Sequence, residues 1–224
     1  MGYIIFKDIY SCRKSILIYM VIAIGFIMTG FGGENSNFVG IVIMMMTYGT
    51  ATRIQYDEEK HMGYSFLRTL PIRSYKIVAS KFLTSFILAV FTVVYTFGLL
   101  VILPKGQIND EGIIVIVATF SVALILTGIF HLMVYKYGSS KALTYTRIFF
   151  FSFFFIPFIG SYITDLLKKI TSKEAVMDMI NKISGLFENL TISGNIVLLL
   201  IVGFLVYFLL MLRSIIIFNK KSAV

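Results

Sequence analysis

The feature that most constrains this chain is a series of long apolar runs. A helix needs about 20 mostly apolar residues to cross the hydrocarbon core of a bilayer. The runs that reach or approach this length are Ser15–Phe31, Phe82–Leu103, Ile113–Tyr135 and Ile196–Leu212. Two shorter runs bring the predicted number of spans to six. Phe38–Ala51 reaches span length if its helix starts earlier or continues past Arg53, and Ile148–Ile163 is rich in phenylalanine.

Composition supports a membrane protein. The 224 residues are 58% hydrophobic and 14% charged, whereas a soluble domain has about 25% charged residues. The runs do not alternate polar and apolar residues as the strands of a membrane β-barrel do. We therefore predict one all-α integral membrane domain that covers residues 1–224.

The distribution of basic residues predicts the orientation. If both termini lie in the cytosol, 15 of the 20 Lys and Arg residues fall on the cytosolic side, as the positive-inside rule requires. Nucleic-acid binding is excluded because the net charge of +9 is dispersed along one membrane face. The predicted spans contain no Asp or Glu. His131 is predicted to lie near the inner membrane interface, and Cys12 to be a cytosolic free thiol.

The first residues, 2–14, have a helical pattern of their own. Ile5, Ile9 and Tyr10 share one face, and basic residues lie beside them. This favours a short helix in the inner interface, after which the chain turns into the membrane. An ordinary positively charged flank is the alternative.

The polar stretch between the second and third runs, residues 53–81, is the longest cytosolic loop. We predict that a helix starts at the acidic residues Asp57, Glu58 and Glu59, because negative charge is stabilised at a helix N-terminus.

This loop helix would be amphipathic. Met62, Phe66 and Leu70 form an apolar stripe along it, Pro71 ends it, and Ser74 can cap the next helix. The stripe could lie on lipid headgroups or in a groove of a partner protein. The acidic residues favour the partner, since anionic lipid would repel them.

The segment on the outer side, residues 164–194, carries apolar residues at roughly helical spacing among lysines. One or two amphipathic helices at the outer interface are predicted there.

The loop carries a family resemblance. Asp57-Glu58-Glu59-Lys60, Leu70-Pro71-Ile72-Arg73 and Ile77-Val78-Ala79-Ser80-Lys81 resemble the loop between the second and third spans of ABC type-2 export permeases. The interfacial N-terminal helix, the six spans and the long outer segment are similar too. The small bacterial permeases that export phenol-soluble modulins, lantibiotics or bacitracin are the most similar group.

The resemblance implies a permease in a bacterial plasma membrane that exports an amphipathic peptide. It implies a second permease subunit, identical or different, and separate ABC ATPase subunits that bind ATP and Mg; this chain would bind no cofactor or metal. The coupling residues would then be Asp57, Glu58, Glu59, Met62, Phe66, Leu70, Pro71 and Arg73.

Polar residues at membrane depth are candidates for the substrate path: Thr47, Tyr48 and Ser152, with Pro157 as a kink. The hydroxyl side chains could equally hold helices together. No set of catalytic residues is evident, which disfavours a membrane enzyme. An ion-coupled secondary transporter or a channel is the main alternative, disfavoured by the lack of acids in the predicted spans.

Overall fold

The computed structural model describes residues 2–28, 37–61, 63, 73–102, 110–148 and 195–222. Within these ranges every regular element is helical and no strand occurs. The helices are α1 (Gly2–Met28), α2 (Asn37–Lys60), α3 (Ser74–Ile102), α4 (Asp110–Tyr137), α5 (helical residues 139–148) and α6 (Asn195–Ser222).

Four of these helices are long and apolar enough to cross a membrane: α1, α3, α4 and α6. Two of the longest predicted spans, Ile113–Tyr135 and Ile196–Leu212, lie wholly within α4 and α6. Of the other two, α1 covers Ser15–Phe31 as far as Met28, and α3 covers Phe82–Leu103 as far as Ile102. The second predicted span lies within α2, which continues past Arg53 to Lys60. The fifth span after Ile148 and the outer segment 164–194 lie outside the described residues, so the total of six spans stays a prediction.

Helix α1 differs from its prediction. It runs without interruption from Gly2 to Met28, so no turn separates an interfacial helix over 2–14 from the first span. The reason is a buried face that begins in the first turn: Ile4, Asp8 and Cys12 follow at four-residue spacing, and each is buried. Cys12 is a free thiol, as predicted, but it is inaccessible.

The helices pack side by side with alternating direction. α1 and α3 run one way, and α2, α4 and α6 run the other. Ile4, Ile77, Tyr135 and Phe218 belong to one apolar cluster, and they come from the start of α1, the start of α3 and the ends of α4 and α6. We call this end of the bundle the charged end, because Lys7, Asp8, Glu58 and Lys81 lie there.

Small residues let α4 and α6 approach closely. A Cβ atom on Gly203 would lie 2.9 Å from Ser121 Cβ, and one on Gly128 would lie 2.9 Å from Leu210 Cδ1. Such contacts are typical of membrane helices, where tight packing drives association. Nearby, the Tyr207 hydroxyl donates a 2.7 Å hydrogen bond to the Phe82 carbonyl and so joins α6 to α3.

Turn residue Gly138 separates α4 from α5. Its φ of +91° lies in the left-handed region that glycine tolerates best, as is common just after a helix C-terminus. Its amide donates a 2.8 Å hydrogen bond to the Val134 carbonyl. The sharp turn brings the start of α5 next to the end of α2.

Candidate functional site

Three helices meet at the charged end in a cluster of ionised side chains. Lys81 Nζ, from α3, lies 2.8 Å and 2.7 Å from the two carboxylate oxygens of Asp8 on α1. The same nitrogen lies 2.6 Å from Glu58 Oε1 on α2. Lys7 Nζ lies 2.6 Å from that Glu58 oxygen and 3.5 Å from Asp8 Oδ1. We call these four residues the ion cluster.

The ion cluster is almost completely shielded from solvent. The side chains of Lys81 and Asp8 are each 1% exposed and that of Glu58 is 6% exposed, whereas Lys7 is 38% exposed. Each buried charge has an opposite charge within hydrogen-bonding distance, and two cations balance two anions. Paired in this way, the charges can be buried, but removing one of them would leave another uncompensated.

Helical periodicity explains why these side chains point inward. On α3, Ile77, Lys81 and Ser85 recur every four residues, and all three are buried. On α2, Ile54 and Glu58 share the buried face in the same way. Lys81 was expected among the cytosolic loop charges, but it is a core residue of α3.

Asp8 is the residue that the sequence reasoning missed. It lies in the first turns of a helix that is long enough to span the membrane, before the predicted first span Ser15–Phe31, which contains no acid. The available signal was its four-residue spacing from Ile4 and Cys12. That spacing indicates a buried position but not a partner. Asp8 is a single acid in a basic segment with exposed aromatic residues, and nothing near it in the sequence indicates that it pairs with a distant lysine.

The predicted acidic helix start at 57–59 is also wrong. Asp57, Glu58 and Glu59 belong to the last turn of α2, which ends at Lys60. Asp57 forms an i,i+4 ion pair with Arg53, with Nε and Oδ2 3.2 Å apart. Its carbonyl accepts a hydrogen bond from the His61 amide.

Glu58 and Glu59 face opposite ways. Glu58 is buried in the ion cluster, so its carboxylate is not presented to a partner surface, whereas Glu59 is exposed. Arg73 is exposed immediately before α3, which begins at Ser74 as predicted. The coupling residues Met62, Phe66, Leu70 and Pro71 lie outside the described residues.

The predicted path residues are only partly placed. Thr47 is fully buried, and its hydroxyl has no hydrogen-bond partner within the described parts of the chain. Tyr48 is half-buried and packs edge-on against Phe130 of α4, with ring centroids 5.7 Å apart. Ser152 and Pro157 fall outside the described ranges. The two path residues that are described, Thr47 and Tyr48, are neighbours on α2.

A second polar group lies one helical turn deeper than the ion cluster. His131 of α4 is 1% exposed, so it is enclosed by neighbouring helices. Its Nδ1 lies 2.9 Å from Gln55 Nε2 on α2, and its Nε2 lies 2.7 Å from Ser85 Oγ on α3. An amide nitrogen can only donate, so Nδ1 accepts and Nε2–H donates to Ser85. Histidine thus connects three helices through satisfied hydrogen bonds.

Both polar groups have the same mechanical effect. The ion cluster ties the end of α2 to α1 and α3, and the His131 group ties α2 to α3 and α4. Displacing the end of α2 alone would break buried ion pairs and hydrogen bonds, which is costly. These contacts therefore couple the end of α2 to α1, α3 and α4.

Comparison with known proteins identifies the family. The family described as ABC-2 family transporter protein matches residues 3–219, nearly the whole chain. No curated protein and no solved structure matches. Together with the apolar spanning helices, the match shows that this chain belongs to the ABC-2 transporter family and is a multi-pass membrane permease of an ABC transporter, a family that works with an ABC ATPase.

Proposed function

We propose that this chain is the permease subunit of an ATP-driven exporter that moves an amphipathic peptide out of a bacterial cell. Phenol-soluble modulin-like toxins and antimicrobial peptides are the expected cargo. In this proposal, separate ATPase subunits bind ATP and Mg, because this chain has no ATP site of its own. A second permease subunit, identical or different, completes the path through the plasma membrane.

The observation that carries the proposal is the ion cluster. The loop that resembles the family's coupling segment leaves α2 at Lys60, two residues after Glu58. Glu58 is held by Lys81 of α3 and Lys7 of α1, with 2.6 Å contacts to each. A push on this loop by an ATPase is therefore passed to α1 and α3 at once, which suits a motor that rocks whole helices.

The proposed topology has six spans with both termini in the cytosol. α4 ends at the charged end, and α6 begins at the opposite end and finishes at the charged end. In this topology the predicted fifth span connects the two ends. The charged end carries the starts of α1 and α3 and would face the cytosol under the positive-inside rule.

Support for the direction and the cargo comes from the resemblance to bacterial peptide exporters. The phenylalanine-rich run 148–163 is suited to an amphipathic ligand. Small antibiotics and lipids are the other cargo classes to compare.

An ion-coupled carrier is the second candidate function, and one observation favours it. Asp8 and Glu58 are buried carboxylates, and buried acids often mark ion pathways in membrane proteins. Their pairing with Lys7 and Lys81 argues for a structural role, because the cluster is already neutral without a bound ion.

The test is reconstitution of the chain with its ATPase in proteoliposomes. Transport of a fluorescent amphipathic helical peptide should require ATP. Arg73→Glu, an exposed change in the predicted coupling region, should lower peptide-stimulated ATP hydrolysis by about 5-fold or more, as loss of coupling between sites typically does. Pro71→Ala should act in the same direction.

The matched control is Lys220→Glu, an equal charge reversal at another exposed position near the end of α6. It should leave ATP turnover unchanged. Peptide movement driven by a pH gradient without nucleotide would instead establish the ion-coupled carrier.

A further inference from the structure

A cleft at the charged end lies between the last turn of α2 and α5. It encloses about 340 Å³, enough for a small polar headgroup. Its polar lining comes from both helices: Tyr56, Lys60, Ser140, Thr144 and Arg147. No residue of the ion cluster lines the cleft, whereas Glu59, one of the predicted coupling residues, does.

Two cations face this cleft from different helices. Lys60 and Arg147 are both exposed, and no ion pair of either residue occurs within the described parts of the chain. Ser140 adds a hydroxyl group beside them, whereas the Thr144 hydroxyl already donates a 3.1 Å hydrogen bond to the Ser140 carbonyl. An ammonium group, a guanidinium group and a neighbouring hydroxyl are donors of the kind that bind a phosphate group.

The cleft also contains one carboxylate, that of Glu59. Its Oε1 would lie 3.9 Å from a Cβ atom placed on Gly138, so it sits at the beginning of α5. The positive end of the α5 dipole stabilises a negative charge there. Glu59 is thus partly compensated, and the two cations remain to attract an anion.

The aromatic residues beside the cleft are of the kind found at a membrane surface. Tyr137 and Tyr145 flank it on α4 and α5, about half-exposed, with ring centroids 5.9 Å apart. Lys136 Nζ lies 4.9 Å from the centre of the Tyr137 ring, and Ile148, one residue after Arg147, is exposed. Tyrosines beside basic residues are typical of the headgroup level of a bilayer.

We propose that this cleft binds the phosphate of an anionic phospholipid headgroup, with Lys60 and Arg147 as its cationic contacts. The acyl chains would leave past the apolar side chains of Leu143 and Ile148. Basic pockets between helices on the cytoplasmic side are known to hold such headgroups. A protein partner is less well suited, because the flanking tyrosines and the exposed Ile148 indicate lipid contact. The proposal does not depend on the nature of the cargo.

The experiment uses the full chain with its ATPase in nanodiscs, with phosphatidylglycerol titrated into phosphatidylcholine. Native mass spectrometry counts the retained phosphatidylglycerol. Lys60→Gln should weaken retention about 5-fold, and Lys60→Gln with Arg147→Gln about 30-fold, given the usual contribution of one basic residue near a membrane. The matched control pair is Lys76→Gln with Lys141→Gln, which removes the same charge from exposed positions outside the cleft.

Three results would overturn the proposal. The first is equal retention in the cleft pair and the control pair. The second is full displacement of phosphatidylglycerol by soluble glycerol phosphate at matching concentration, which would make this a site for a free phosphate. The third is loss of the ATPase from the cleft pair with unchanged lipid retention, which would make the cleft a protein interface.

Discussion

Lys81 and Asp8 are 73 positions apart in the chain, yet they form a two-pronged ion pair in which each side chain is 1% exposed. Lys81 Nζ contacts both carboxylate oxygens of Asp8 and also Glu58 Oε1. One ammonium group therefore joins three helices at the end of the bundle from which the coupling loop departs.

Replacing this ammonium group should strongly destabilise the protein. Lys81→Met leaves two buried carboxylates with Lys7 as the remaining cation of the cluster, and loss of one partner from a buried ion pair costs about 3–5 kcal/mol. Unfolding of the purified chain in detergent, followed by circular dichroism, measures the loss.

The control for this prediction is Lys7→Met. Lys7 is 38% exposed, and pairs with access to solvent contribute about 1 kcal/mol or less. If the two variants have the same free energy of unfolding, the buried pairing of Lys81 contributes no more to stability than the exposed pairing of Lys7, and the prediction is wrong.

His131→Phe should also destabilise the chain. The substitution removes the partners of Gln55 Nε2 and Ser85 Oγ, which lie 2.9 Å and 2.7 Å from the ring nitrogens. Each buried polar group left without a partner costs about 1–3 kcal/mol. The exposed His61 provides the comparison: His61→Phe should change the free energy of unfolding by about 0.5 kcal/mol or less. If His131→Phe leaves the free energy of unfolding unchanged, the two side chains do not depend on His131, and water would have to replace it as their hydrogen-bond partner.

Gly203→Ala should loosen the contact between α4 and α6. The new methyl group would lie 2.9 Å from Ser121 Cβ and 3.3 Å from its Cα, so the helices would have to separate. Overpacking of this kind costs about 1–3 kcal/mol.

Gly98→Ala is the matched substitution on α3. Among the described residues, no atom outside the helix's own nearby backbone lies within 4 Å of its added Cβ, and alanine favours a helix over glycine by about 1 kcal/mol. This variant should therefore be as stable as the parent or more so. Thermal unfolding of both variants side by side tests the packing, and equal melting temperatures would contradict it.

Tyr207→Phe tests the bond between α6 and α3. The hydroxyl donates a 2.7 Å hydrogen bond to the Phe82 carbonyl in a buried position, and its loss should cost about 0.5–1.5 kcal/mol. Tyr3→Phe removes a hydroxyl from a residue that is 81% exposed, so its stability should match that of the parent chain. Chemical denaturation measures the free energy of unfolding of the two variants. If Tyr207→Phe is as stable as the parent chain, the hydrogen bond to the Phe82 carbonyl does not contribute to stability as predicted.

The long apolar runs by themselves determined which segments become membrane helices, and Ser74 correctly marked the start of α3. These features depend on local properties: the length of an apolar run, the absence of helix breakers and the identity of a capping residue. Four spanning helices could be predicted from them, as could a family resemblance that the comparison with known proteins confirmed at the level of an ABC-2 permease.

Only the tertiary structure decided where the charges go. Local reasoning placed Asp57, Glu58 and Glu59 at a helix start, where the dipole contributes about 0.3–1 kcal/mol. In the structure they end α2, where Glu58 pairs with Lys81 in a buried position, so the local preference of acids for a helix start did not decide the boundary. Asp8 and Lys81 find each other across 73 positions, and such pairing depends on which helix faces come together, which no local pattern in the chain encodes.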